Sequence, residues 1–283
     1  LIPSEQQGWV DGQAEAAQQA DRLDPEAATT LHALGNVART QFKFALAEQY
    51  YVRAMQIDPS YSDALEDYSE VLYQVGRVNE AAQVARQLVT LDPYFGVGWN
   101  RVLQPAIAMD DRADVIEAVK QLRSISPNNY LGKFGLLSYA LNFSRKEEAY
   151  VALKEIETKW PSYTQSINVL LPWALGDSVT NLSTLRKAID AAPTAEIGSY
   201  FLARKDLSGY IANIETQGAV PQQYFFIDMY ASKPTGQALL ADPRAKPYLV
   251  KYGFVAYWRE KGWPDICRPL DADDFECGKV QTP

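Results

Sequence analysis

Apolar residues return every three or four positions through much of the chain, as Leu31, Leu34 and Ala38 do. This spacing places them on one side of an α-helix, because 3.6 residues complete a helical turn. A single pair of such helices cannot bury its own apolar stripes, so neighbouring pairs must stack on one another. The pattern therefore predicts an all-α fold built from stacked helical hairpins.

A set of prolines divides this pattern into equal units. Five of them follow one another at the same interval, and the first three are preceded by Leu-Asp or Ile-Asp. The interval matches the length of one helix–turn–helix unit in a stacked array, which is about 34 residues. Since proline disfavours the helical conformation of the residue before it, each of these prolines is expected to end one hairpin. The five are Pro25, Pro59, Pro93, Pro127 and Pro161.

Small residues occur where the two helices of one hairpin are expected to approach each other closely. Two further prolines depart from the pattern, because Pro105 and Pro172 fall inside predicted first helices. Proline lacks a backbone N–H and clashes with the preceding turn, so these two are expected to kink or break their helices. The small residues are Gly35, Ala47, Ser69, Ala81 and Ala149.

The motif of the first complete unit is specific. Leu31-x-x-Leu34-Gly35-x-x-Ala38, followed by Ala47-x-x-x-Tyr51-x-x-Ala54 and Pro59, resembles the tetratricopeptide repeat (TPR) pattern. The resemblance spans roughly residues 9–193 and implies a right-handed solenoid whose function is to bind other molecules. We expect a partial repeat over residues 1–27 and TPR repeats over residues 28–193.

The repeat pattern weakens after Pro161. Residues 194–221 indicate a degenerate helical hairpin, and residues 222–283 are rich in aromatic side chains such as Trp258 and Trp263. A stacked array must cover its last apolar face, and an aromatic helical cap would do so. The last segment is therefore predicted to form a C-terminal helical cap.

Composition argues against catalysis and against nucleic-acid binding. The formal net charge of −8 disfavours contact with phosphates, which need clustered Lys and Arg. His32 is the one histidine, so a histidine-cluster metal site is excluded, and the sequence has no nucleophile elbow, phosphate loop or zinc-type cysteine pair. We expect no enzymatic activity, no cofactor and no metal. Four acidic residues lack the glycine and spacing of a calcium loop and indicate a solvated turn; they are Asp271, Asp273, Asp274 and Glu276.

The TPR resemblance implies that the first helices line a concave groove, where a protein, a peptide or a small ligand is expected to bind. The second unit is acidic there, which favours a basic or amine-bearing partner, although the same residues also fit a solvated helix face. Asn–Arg pairs in the first and third units match only in part the residues with which some TPR proteins hold a C-terminal carboxylate. A carboxylate clamp is therefore disfavoured. The residues expected in the groove are His32, Asn36, Arg39, Asp63, Glu66, Asp67, Glu70, Tyr73, Asn100, Arg101, Gln104, Leu131, Phe134, Ser138 and Asn142.

The two cysteines, Cys267 and Cys277, lie close together near the end of the sequence. Their proximity favours a local disulfide, which would place the domain outside the cytoplasm. The alternative is a pair of free thiols in a cytosolic protein.

The segment around these cysteines, from Ala241 to Cys277, carries Tyr252-Gly253-Phe254 and Gly262-Trp263-Pro264. It resembles the C-terminal end of bacterial membrane-anchored signalling proteins that have a cytoplasmic winged-helix or nucleotide-cyclase domain. This resemblance implies a periplasmic sensor domain of an inner-membrane transcriptional regulator, with the membrane anchor upstream of Leu1. The alternative is a free-standing TPR scaffold or co-chaperone for an envelope or secretion complex.

Overall fold

The computed structural model describes residues 4–161, 164–177, 181–191, 200–201, 203–206, 208–212, 238, 240–264, 266–271 and 274–277. The predicted all-α helical-repeat fold is confirmed, and the helices begin with the period of the prolines. First helices start at residues 28, 62, 96, 130 and 164, and second helices at residues 44, 78, 112 and 146. The helices are α1 (Ser4–Leu23), α2 (Ala28–Thr40), α3 (Phe44–Ile57), α4 (Ser62–Gln74), α5 (Val78–Leu91), α6 (Gly96–Ala108), α7 (Arg112–Ile125), α8 (Tyr130–Asn142), α9 (Lys146–Lys159), α10 (Thr164–Ala174), α11 (Leu182–Ala191), α12 (Lys246–Lys251) and α13 (Phe254–Lys261). A short β-hairpin pairs β1 (Cys267–Pro269) with β2 (Phe275–Cys277).

The turns inside the four regular hairpins, α2–α3, α4–α5, α6–α7 and α8–α9, share one backbone arrangement. A residue just after the first helix adopts a positive φ, and the N–H of the next residue donates to a carbonyl in the last turn of that helix, as Lys43 N does to Ala38 O at 2.9 Å. This arrangement satisfies carbonyl groups that the end of a helix leaves without partners. The residues with positive φ follow one another at the repeat period and are Phe42, Gly76, Asp110 and Ser144.

The two helices of a hairpin approach each other at the predicted small residues. A Cβ atom added to Gly35 would lie 2.5 Å from Cε1 of Tyr51, so α2 and α3 leave no room for a side chain there. The hydroxyl of Ser69 donates to the carbonyl of Ala81 at 3.0 Å, in a buried contact between α4 and α5. Close approach therefore explains the choice of small residues at this part of the repeat.

The prolines act in two different ways. Helices α3, α5, α7 and α9 each end shortly before a proline of the regular series, as predicted. Of the two outcomes expected at Pro105 and Pro172, a kink or a break, the break does not occur, because α6 and α10 continue past these prolines. Both prolines lie near the C-terminal ends of these helices, so only a short stretch of helix follows each proline, which lacks a backbone N–H.

The chain divides into two compact units. The first contains Leu1–Pro105 together with Leu240–Pro283, and the second contains Ala106–Leu239. This division differs from the boundaries expected from the sequence, because it joins the C-terminal segment to the first repeats.

The contacts of α13 explain why the C-terminal segment belongs to the first unit. Phe254 packs on Phe44 of α3 with their ring centroids 5.0 Å apart, and Tyr252 lies 5.0 Å from Phe42 in the same way. The indole N–H of Trp258 donates to the carbonyl of Val75 at 2.9 Å. The cap was expected on the last repeat, but these contacts place it on the first two hairpins.

The disulfide closes the β-hairpin that follows α13. Cys267 and Cys277 are bonded to each other and face each other across the two strands. The ring of Trp263 lies 5.5 Å from that of Trp258 and 5.7 Å from that of Phe275, so the hairpin and α13 share one aromatic cluster. The bond therefore fixes a hairpin whose Phe275 packs on Trp263, which in turn packs on the buried Trp258.

In the second unit, α7 to α11 continue the repeat. The expected degenerate hairpin over residues 194–221 and the aromatic residues 222–237 lie largely outside the described residues. Among those that are described, Phe201 packs edge-on against Trp173 at 5.3 Å, and Arg204 donates to the carbonyl of Trp173 at 2.6 Å. None of the helices in the described ranges combines the length and apolar character that crossing a bilayer requires.

Candidate functional site

Three successive first helices of the first unit, α2, α4 and α6, place charged and amide side chains next to one another. Because the repeat period is the same from one hairpin to the next, equivalent positions of these helices lie side by side. His32 of α2 faces Asp67 of α4, and Glu66 of α4 faces Arg101 of α6, with the same separation in sequence. We call this surface the polar face; it consists of His32, Asn36, Arg39, Glu66, Asp67, Glu70, Asn100, Arg101 and Gln104.

Two arginines bridge the three helices of the polar face. Arg39 of α2 donates to Glu70 Oε2 at 3.2 Å and lies 3.4 Å from Asp67 Oδ1. Arg101 of α6 donates to Glu66 Oε1 at 2.6 Å and to Glu70 Oε2 at 2.7 Å. Glu70 thus joins both arginines and connects all three helices through one carboxylate.

His32 occupies the centre of a second cluster on the same face. Its Nε2 lies 2.7 Å from Asp67 Oδ2 and 3.1 Å from Asn36 Nδ2. The hydroxyl of Tyr61 lies 3.1 Å from Nδ1, and the hydroxyl of Tyr51 donates to Asn36 Oδ1 at 2.6 Å. Sequence reasoning missed both tyrosines, since Tyr51 matches an apolar position of the repeat and Tyr61 precedes α4.

Burial and the opposite charges act against each other on the pKa values of this face. Burial opposes the ionisation of Asp67, but the hydrogen bond from His32 and the charge of Arg39 outweigh it and lower the pKa of Asp67. Burial raises the pKa of Glu66 despite the nearby charge of Arg101. Burial alone would lower the pKa values of Arg39 and Arg101, but the nearby negative charges raise them. These charges belong to Glu70 and Asp67 for Arg39, and to Glu70 and Glu66 for Arg101.

This pairing changes the expectation of a basic partner. The oxygens of Glu66, Asp67 and Glu70 lie within 4.8 Å of one another, but each carboxylate is already paired with Arg39, Arg101 or His32. The acidic stripe is therefore compensated inside the protein. A carboxylate clamp is equally disfavoured, because a bound carboxylate would have to displace Glu70 from both arginines.

Two polar atoms of the face have no such compensation. Arg39 Nε and Asn100 Oδ1 are buried and make no hydrogen bond within the described part of the chain. Almost all buried polar atoms of folded proteins are hydrogen-bonded, so each exception requires an explanation. The polar face therefore leaves one donor on α2 and one acceptor on α6 without a hydrogen-bond partner, and both atoms are covered by neighbouring protein atoms.

The remaining predicted site residues do not join this network as expected. Asp63 lies in the first turn of α4 at the edge of the face, whereas Tyr73 is only 1% exposed and offers no surface to a partner. Phe134 and Asn142 belong to the second unit and are buried, at 5% and 8% exposure. Leu131 and Ser138 are half-buried on the same helix, α8.

Similarity to known proteins is limited to parts of the chain. No family model matches it. Protein bimA of Emericella nidulans is 24% identical over 135 residues, which are 48% of this chain and 16% of bimA. Small glutamine-rich tetratricopeptide repeat-containing protein 2 of Mycosarcoma maydis is 26% identical over 109 residues, which are 38% of this chain and 31% of that relative.

The chain thus covers less than a third of either relative. The second relative carries the tetratricopeptide repeat in its name, and the helices of this chain start with the period of that repeat. Repeats of this kind form extended surfaces for other proteins. The chain is therefore an all-α helical-repeat protein that is similar, over part of its length, to a protein named for the tetratricopeptide repeat.

Proposed function

We propose that this chain is a non-catalytic domain that binds a segment of a partner protein on the polar face, and that it forms the extracytoplasmic portion of a membrane-anchored bacterial regulator. The observation that supports binding at this face is that the buried atoms Arg39 Nε and Asn100 Oδ1 have no hydrogen-bond partner among the described residues. A buried donor and a buried acceptor without partners cost free energy in the unbound protein. A bound group that forms hydrogen bonds with both atoms would remove this cost.

The chemistry of the face favours a peptide backbone as the bound group. An extended segment that displaces the atoms covering this donor and this acceptor offers carbonyl acceptors to Arg39 Nε–H and N–H donors to Asn100 Oδ1. The charges of Arg39 and Arg101 are compensated by Glu66, Asp67 and Glu70, so neither a strongly acidic nor a strongly basic ligand is required. The same ion pairs hold the side chains in place before binding, which reduces the entropy lost on association.

The disulfide supports the extracytoplasmic part of the proposal. Stable structural disulfides persist in oxidising compartments and are rare where thiols are kept reduced. The bond between Cys267 and Cys277 lies within the segment that resembles the C-terminal end of membrane-anchored bacterial regulators. A free-standing scaffold of an envelope complex would use the same face and the same disulfide, and it differs only in lacking an attached effector.

Site-specific photo-crosslinking tests binding at the polar face. A benzoylphenylalanine replaces Gln104 of α6, which is half-buried beside Arg101, and a control places the same residue at the exposed Gln83 of α5. The proposal expects a discrete adduct in living cells from position 104 and none from position 83. Adducts of equal yield at both positions, or no adduct at position 104, would contradict it.

Thiol labelling tests the compartment independently. Cells that express the protein with its native upstream sequence are denatured without reductant in the presence of a maleimide of high mass. Oxidised Cys267 and Cys277 leave the chain unlabelled, and prior reduction adds two labels. Two labels without reduction would refute the extracytoplasmic location and would leave the binding proposal untouched.

A further inference from the structure

An open groove lies in the second unit between α7, α8 and α9. It has a volume of about 270 Å³, and Ile116 of α7 and Val151 of α9 form its most exposed apolar lining. Ile116 is 49% exposed and Val151 is 70% exposed, whereas Tyr139 and Ala152 in the same groove are buried. Two large apolar side chains thus face solvent together in one concave place.

The repeat itself shows that an apolar residue is not required for packing at the position of Val151. The position of Val151 is occupied by Gln49, Gln83 and Glu117 in the three preceding repeats, each one repeat period from the next. A position that is polar in the other repeats does not need an apolar side chain to build the hairpin. An exposed valine at that position therefore indicates a contact outside the fold of the hairpin.

The first unit shows what covers the equivalent surface there. Glu48 lies two repeat periods before Ile116, and its carboxylate accepts a hydrogen bond of 2.8 Å from the hydroxyl of Tyr257. Phe44, which is likewise two periods before Arg112, packs on Phe254. Thus the aromatic helix α13 packs in the first unit beside the counterparts of Arg112 and Ile116, whereas Gln83, the counterpart of Val151, remains exposed there.

The charges at the rim of the groove favour a basic residue beside the apolar contact. Glu148 pairs with Arg112, and Glu155 pairs with Arg123 at 2.8 Å and is also bonded by a lysine. Glu147 is exposed and has no ion pair among the described residues. A cation on the bound molecule would complement this carboxylate at the N-terminal end of α9.

We propose that this groove binds a short amphipathic helix of a partner protein, which inserts a tryptophan or tyrosine between Ile116 and Val151 and places a lysine or arginine next to Glu147. Its volume exceeds that of the cavity of roughly 150 Å³ that holds a benzene ring, so an aromatic side chain fits. This surface is distinct from the polar face, and its test does not depend on the function proposed for that face.

A fluorescein-labelled synthetic peptide of residues 246–263 of this chain serves as the probe, because it contains the helix that packs beside the counterparts of Arg112 and Ile116 in the first unit. Its binding to the complete chain is followed by fluorescence anisotropy, and the contact region by hydrogen exchange. Val151→Glu and Ile116→Glu are each expected to weaken binding tenfold or more. Leu46→Glu, at an apolar residue of α3 that is 38% exposed, is the matched control and is expected to leave affinity within about twofold.

Each other outcome overturns the proposal. Absence of binding at millimolar peptide, or binding that both glutamate variants leave unchanged, shows that the groove does not receive the helix. Protection confined to residues 42–80 shows that the peptide replaces the resident α13 instead. Concentration-dependent dimerisation that Val151→Glu abolishes assigns the groove to a second copy of the chain rather than to a different protein. Circular dichroism establishes that each variant remains folded.

Discussion

Replacing Gly253 by alanine tests the docking of the C-terminal cap on the first hairpin. Gly253 has a φ of +77°, and a Cβ atom at this position would lie 2.1 Å from the carbonyl oxygen of Phe42. Because the obstructing atom belongs to the backbone, no side-chain rotation relieves the contact. Gly176 is a matched control, since its φ is +81° and nothing lies within 4 Å of its added Cβ.

The two substitutions share one cost and differ in another. A left-handed backbone costs an alanine about 1–2 kcal/mol at either position. Forcing an extra carbon into a packed contact adds about 1–3 kcal/mol, and only at Gly253. We therefore expect Gly176→Ala to lose about 1–2 kcal/mol of stability in its unit, and Gly253→Ala about 2–5 kcal/mol in the other.

Hydrogen exchange is the appropriate assay, because a chain of two units does not guarantee two-state unfolding. The free energy of opening is measured for amides of α3 and α13 in each variant. Gly253→Ala should lower it in both helices together, whereas Gly176→Ala should lower it in neither. Equal protection of α3 in the wild type and in Gly253→Ala would refute the packing of the cap on the first hairpin.

Three further predictions concern the repeats and the cap. Burial opposes the ionisation of Asp67, but His32 and Arg39 outweigh it and lower the pKa of Asp67 from its ordinary value of 3.8. The ionised carboxylate therefore stabilises the fold at pH values above 3.8, and this stabilisation is lost as the pH falls through the lowered pKa. Asp67→Asn should remove this part of the acid dependence in urea unfolding series from about pH 5 to about pH 2, and an unchanged dependence would count against the network. Gly35→Ala should lose about 1–3 kcal/mol in thermal unfolding, because its Cβ would lie 2.5 Å from the ring of Tyr51, while Gly12→Ala, with nothing within 4 Å, should be neutral or stabilising. Trp258→Phe removes the indole N–H that donates to the carbonyl of Val75 at 2.9 Å, and should lower the free energy of opening of α13 by about 1–3 kcal/mol. Unchanged hydrogen exchange in α13 would show that this hydrogen bond does not stabilise the helix.

The repeats follow from local sequence because each helix pair needs only its neighbours. The positions of Pro59 and Pro93 predict the ends of α3 and α5, and Gly35 predicts where α2 and α3 approach closely. The position of the cap could not be predicted, because α13 contacts α3 across most of the length of the chain. Aromatic content indicates that Trp258 is buried but does not indicate which surface buries it.

The polar face was predicted in position and not in its pairing. Periodicity places His32, Asp67 and Arg101 on first helices, yet it treats each side chain separately. Only the lateral packing of α2, α4 and α6 shows that the carboxylates and guanidinium groups satisfy one another. That Asn100 Oδ1 is buried without a hydrogen-bond partner could not be predicted either, because it depends on which donors the neighbouring residues fail to supply.

The most direct test of partner binding at the polar face is the affinity of Asn100→Ala for the segment captured from position 104. Removing a buried acceptor that has no partner should leave the free protein as stable as before, or more stable. Isothermal titration should nevertheless show binding weakened about tenfold, because the bound segment loses its hydrogen bond. An affinity equal to that of the wild type would contradict the assignment of this face as the binding site.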